Sequence, residues 1–122
     1  MTPTSSIISS WAFDFYESVR ARLPPATFPA QPKYKQNLAE LTDEFDAFVF
    51  DSFGVLNVGD TPIPGARERI AALRAAGKPV AILTNSATVP LAGLVDKYAS
   101  LGFQFTREEI VSSREVLAMR YP

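Results

Sequence analysis

Apolar residues recur along the chain with two periods, and each change of period marks an element. Over residues 5–22, Ile8, Trp11, Phe15 and Val19 fall three and four apart. That spacing predicts a helix with one apolar face, expected to pack on its own domain, the alternative being a docking surface for a second subunit or for the remainder of the protein. The next thirteen residues, 23–35, hold four prolines. Proline lacks an amide donor and restricts the residue before it, so an extended connector is expected here. Asn37 to Phe45 suits a short helical lead-in. Ala47-Phe48-Val49-Phe50 is then a run of strand formers, expected to be a buried strand ending on Asp51.

The remaining pattern alternates helix and strand. Thr61 to Gly65 reads as a turn that opens a helix, with Pro64 in its first turn and a stripe of Ala66, Ile70 and Leu73. Gly77 stands where a C-terminal glycine belongs. Val80 to Leu83 predicts a second buried strand, running into Thr84-Asn85-Ser86. Thr88 as cap and Pro90 just inside predict the next helix, lined by Leu91, Leu94, Val95, Tyr98 and Leu101 and stopped by Gly102. Thr106–Glu109 and Ser112–Glu115 both fit the capping-box pattern. Between them Ile110-Val111 predicts a brief third strand, and the second box starts a helix that runs towards Pro122. The order β-α-β-α-β-α, with crossovers long enough for parallel pairing, predicts an α/β fold built on a parallel sheet. The expected division is an N-terminal helix and Pro-rich linker over 1–36 and an α/β unit over 37–122.

Composition narrows the chemistry. The chain has 122 residues, 47% of them apolar and 20% charged, which suits one ordinary globular domain. A net charge of −1 argues against nucleic acid as a partner. With no cysteine and no histidine, thiol nucleophiles, Ser-His pairs and thiolate or imidazole metal sites are excluded within this chain. Carboxylates, hydroxyls, amides, lysine and arginine remain. Nothing reads as a membrane span, and Asp14 interrupts the only stretch that could pass for a secretory signal. A cytoplasmic location, with no membrane partner, is the expectation.

In a parallel sheet the C-terminal ends of neighbouring strands share one edge, where open α/β sheets bind ligands. Asp51 and Thr84 would both stand there. A carboxylate beside a hydroxyl and the amides of two tight loops can bind phosphate oxygens. The carboxylate can also attack phosphorus to form an aspartyl-phosphate, provided a cation offsets the repulsion between anions.

FDSFGVL, residues 51–56 with the preceding Phe50, resembles motif I of the haloacid dehalogenase-like superfamily, and ILTNS resembles its motif II. The stretch PIPGARERIAALRAAGKPVAILTNSAT, with the later LGF and IVSSREVLAMRY, resembles subclass IIA, the nitrophenylphosphatase-like proteins. The resemblance spans about residues 44–121. It implies a Rossmann-like core, of which this chain would be the N-terminal part, and a Mg2+-dependent hydrolase of the phosphoric monoester type. Asp51 would be the nucleophile and a magnesium ligand, and Thr84 would hold the phosphoryl group with Asn85 shaping its loop. The backbone at Ser52, Phe53 and Gly54 would bind phosphate, with the Phe53 carbonyl a second metal ligand.

Two departures qualify what the resemblance implies. Where the family's phosphatases carry a second Asp, this chain has Phe53, which cannot protonate a leaving oxygen. The family's downstream lysine and acidic pair have no counterpart here: Lys97 reads as solvated surface, and Gly59-Asp60 lies too near motif I. The expected partners are a small phosphorylated substrate and, to complete the sheet, either a second copy in a homo-oligomer or the remainder of the same protein. Two other readings stay open: a non-catalytic phosphate-binding or assembly module of this fold, and a carbon–halogen hydrolase.

Overall fold

A computed structural model describes residues 9–121, and the chain divides into two compact units, 1–34 and 35–122. In the first, helix α1 (Ser9–Ser18) is followed by a 3-10 turn, Arg20–Arg22. The expected start of this helix at residues 5–8, Ile8 included, lies outside the described residues. Within this unit its apolar stripe is left uncovered. Trp11 stacks on Phe15 with ring centroids 5.7 Å apart, but no residue of α1 is buried. Among the described residues of this unit the 3-10 turn is the one other regular element, and one short turn cannot cover an apolar face. The proline-rich stretch after it has no regular structure.

The second unit begins with a 3-10 turn, Leu38–Leu41, capped by Asn37, whose Oδ1 accepts from Ala39 N at 2.9 Å. Its elements are then β1 (Phe48–Phe50), β2 (Asn57–Val58), β3 (Thr61–Pro62), α2 (Ala66–Ala75), β4 (Val80–Thr84), α3 (Leu91–Ser100), β5 (Ile110–Ser112) and α4 (Ser113–Arg120). Strands β1, β4 and β5 form a parallel sheet in that order, with Phe48 opposite Val80, Ile82 opposite Ile110 and Thr84 opposite Ser112. The predicted parallel α/β sheet is what the chain forms.

Side chains alternate across a strand, so the register puts Phe48, Val80, Ile82 and Ile110 on one face. All four are buried, in one core with Ile70 and Leu73 of α2 and Leu94, Tyr98 and Leu101 of α3. The strands succeed one another in one direction, and right-handed crossovers then bring both helices to the same side. The opposite face carries Val49, Leu83 and Val111, which are 66%, 55% and 40% exposed. The first two strands, expected to be buried, are therefore buried on one side only, and so is the third. Parallel sheets are normally covered on both.

The helix ends obey local chemistry. Gly77, at φ 72°, closes α2: its amide donates to Arg74 O, and Lys78 N donates to Leu73 O. That double bond pattern needs a left-handed residue, which glycine adopts without strain. At the start of α3 the expectation fails in detail. The N-cap is Pro90 and not Thr88, and no side chain caps the helix. The first box forms, with Thr106 N donating to Glu109 Oε2 at 2.9 Å; of the second only the cap is made, Glu115 N donating to Ser112 Oγ at 3.2 Å.

Candidate active site

Asp51 directly succeeds β1, and Thr84 is the last residue of β4. Parallel pairing of these strands brings both to one end of the sheet. They line the same cleft, of about 350 Å³. Ser52, Phe53 and Asn57 extend the Asp51 side, and Asn85 and Ser86 the Thr84 side. Leu94, Lys97 and Tyr98 of α3 form the remaining wall.

The chain after Asp51 is wound into a single tight turn. Ser52 O accepts from Leu56 N at 2.8 Å, and Gly54 N donates to Asn57 O at 2.8 Å. Gly54 sits at φ 83°, and no atom would crowd a Cβ there, so the constraint is conformational. None of these bonds uses the Phe53 amide or carbonyl, which leaves both groups for a ligand. Ser52 is committed: its amide donates to Asp51 Oδ1 at 2.7 Å and its hydroxyl to Asn57 Oδ1 at 3.0 Å. Gly54 does not line the cleft, and its amide is held by Asn57. Of the residues expected from the sequence, Asp51, Ser52, Phe53, Thr84 and Asn85 line the cleft and Gly54 does not; the Ser52 amide and hydroxyl and the Gly54 amide are engaged within the turn.

Thr84 is buried, and its Oγ1 accepts from Ser86 N at 3.2 Å. That bond fixes the hydroxyl oxygen and leaves its proton for an acceptor in the cleft. Phe53 lines the cleft and is 69% exposed, and a phenyl ring has neither a proton to give nor a charge.

Two features were missed in the sequence. Asn57, 1% exposed, ties the turn to the next segment by donating from Nδ2 to Gly59 O at 2.7 Å. It also begins a hairpin, β2 with β3, where a turn alone was expected. The Gly59-Asp60 dipeptide between Val58 and Thr61 was the available signal, since glycine with positive φ suits a two-residue hairpin loop. Lys97 is the second: expected on solvated surface, it is half-buried and lines the cleft. Leu94, three positions before it along α3, is 1% exposed, which turns that side of the helix inward.

A profile of haloacid dehalogenase-like hydrolases matches residues 48–120. The chain belongs to that family. It is 36% identical over 78 residues to phosphoglycolate phosphatase 1A of Arabidopsis thaliana, a match covering 64% of this chain and 22% of that protein. It is 41% identical over 63 residues to human glycerol-3-phosphate phosphatase, covering 52% of this chain and 20% of that one. Among solved structures it is similar to the glycerol phosphate phosphatase of Mycobacterium tuberculosis in complex with magnesium, at a TM-score of 0.55 and 26% identity, covering 60% of this chain and 22% of that one. The similarities are those of the nitrophenylphosphatase-like subclass IIA. The chain therefore spans about a fifth of the length of these relatives.

The donors at the cleft are oxygens, the kind Mg2+ prefers, and one carboxylate with a backbone carbonyl can form one side of its shell. Among the described residues no group of three or more Asp, Glu, His or Cys is placed to hold a metal. No helix among them is long and apolar enough to cross a membrane.

Proposed function

We propose that the protein is a cytoplasmic phosphatase or phosphotransferase that acts on a small phosphorylated metabolite through an aspartyl-phosphate on Asp51. The observation that carries this reading is the convergence of Asp51 and Thr84 on one cleft. An Asp51 carboxylate oxygen attacks phosphorus, the bond from phosphorus to the leaving oxygen breaks, and that oxygen takes the electron pair. Water then attacks phosphorus, the bond from phosphorus to the Asp51 oxygen breaks and restores the carboxylate, and inorganic phosphate leaves with the water's proton released to solvent. The Thr84 hydroxyl and the free Phe53 amide hold phosphoryl oxygens, with Asn85 shaping the loop. Asp51 and the Phe53 carbonyl would hold Mg2+, which when bound offsets the repulsion between carboxylate and phosphate. The phosphatases and the magnesium complex among the similar proteins support both parts.

Phe53 gives the reaction its limit. General acid–base help is worth about 10²–10⁴-fold in rate, and phenylalanine supplies none of it, so hydrolysis of ordinary alkyl phosphates is slow. With about a fifth of the relatives' length present, these 122 residues alone are expected to give little or no turnover. Beryllofluoride with Mg2+ mimics the aspartyl-phosphate and tests the assignment. The protein should gain thermal stability and its Asp51→Asn variant should not; equal responses would defeat the nucleophile. The lone carboxylate in the cleft also favours a second reading, a phosphate-binding module without turnover. That reading predicts protection by inorganic phosphate without any response to beryllofluoride.

A further inference from the structure

We infer that Lys97 supplies positive charge to the phosphoryl group bound beside Asp51, in a role that belongs to α3 and not to either strand-end loop. The inference rests on the phosphate-site reading above and adds a residue to it. Three observations carry it. Among the described residues Lys97 is the only cationic side chain lining the cleft, and Asp51 is the only anionic one. Lys97 makes no ion pair among the described residues, so its ammonium is not already spoken for. Leu94 and Tyr98 are buried on one face of α3, and Lys97, half-buried, lines the cleft with them. An ammonium on a half-buried apolar stem reaches toward the wet end of its groove, where a ligand's charge would sit.

Such a group has a task in this chemistry beside that of the Mg2+ proposed above. A phosphate monoester is itself anionic, and placing it against the Asp51 carboxylate sets like charges together. The Thr84 hydroxyl and the Phe53 amide offer dipoles but no net charge. Lysine is a compact point charge with three rotatable donors, suited to a tetrahedral anion. The same reasoning predicts that the cleft holds inorganic phosphate without any metal, and that this binding weakens with salt.

The test titrates inorganic phosphate into the 15N-labelled chain in EDTA and monitors the amide resonances of Thr84 and Asn85. Lys97→Met keeps the apolar stem and should weaken binding by about tenfold or more, the usual cost of losing a charge-assisted hydrogen bond. Lys97→Arg should stay within about threefold of the parent, because a point charge is replaced by a charge. Asp51→Asn should bind phosphate more tightly, since it removes the like charge. Salt dependence is measured on the parent chain and needs no variant. Equal affinity in the parent and Lys97→Met, with the Asp51→Asn effect present, would overturn the role of Lys97 and leave the site standing. No shift at Thr84 or Asn85 in the parent would overturn the phosphate site and this inference with it.

Discussion

The Ser52 hydroxyl donates to Asn57 Oδ1 at 3.0 Å, and both residues are buried beside the proposed nucleophile. One side-chain pair thereby fixes the turn after β1, and Asn57 carries the constraint on to the hairpin through Gly59 O. Asn57→Ala removes both bonds and leaves the buried Ser52 hydroxyl unpaired. The expected loss is about 1–3 kcal/mol of stability, read as a lower denaturation midpoint. Because Ser52 N also holds Asp51 Oδ1, the same variant should weaken the beryllofluoride response.

β4 offers a sharp contrast between sequence neighbours. Ile82 is wholly buried, whereas Leu83, next to it, is 55% exposed on the bare face of the sheet. Ile82→Ala should cost about 2–5 kcal/mol, as large-to-small changes in packed cores do. Leu83→Ala in the same chain should cost less than about 1 kcal/mol. Urea denaturation of the two variants checks this, and similar losses would mean that the second face is covered in solution.

Arg74 and Glu109 join the end of α2 to the turn before β5 through two bonds of 2.8 Å each. The guanidinium also donates to Gln104 O and lies 5.4 Å from the centre of the Phe105 ring. The Arg74 hydrogen bonds hold the Glu109 carboxyl below its ordinary value, against a smaller opposing effect of burial. A carboxylate with a depressed folded-state pKa stabilises the fold above its unfolded value, about 4.3, and loses that contribution as pH falls through the folded value. Arg74→Met should therefore cost about 1 kcal/mol near neutral pH, discounted for its partial exposure. The difference from the parent should shrink below about pH 4, as thermal melts across that range would show.

Gly54→Ala tests the turn itself. There is room for the methyl group, so the cost is that of a left-handed backbone, about 1–2 kcal/mol. A smaller loss on denaturation would mean that the turn relaxes in solution.

The parallel sheet was legible because each strand is a short apolar run bounded by helices of clear period. Gly77 and Gly102 announced two helix ends by the one conformation they alone tolerate cheaply. Asp51 and Thr84 could be placed together because strand order fixes which ends meet. The hairpin escaped because its strands are two residues each, too short for any period to show. Lys97 escaped for a different reason. A lysine on an amphipathic helix reads as solvent-facing, and only tertiary packing shows that Leu94 carries it to a cleft wall. The exposure of Val49, Leu83 and Val111 was equally hidden, because an apolar run does not say how many of its faces are covered.

Asp51 taking a phosphoryl group while Thr84 holds it is the step on which the proposed reaction depends. Incubation of the protein with Mg2+ and an acyl phosphate, then acid quench and peptide mass spectrometry, tests it. The expected result is the added mass of one phosphoryl group on Asp51, lost in Asp51→Asn and reduced in Thr84→Val. A phosphoryl group on another residue, or the same yield on Asp51 in Thr84→Val, would refute it.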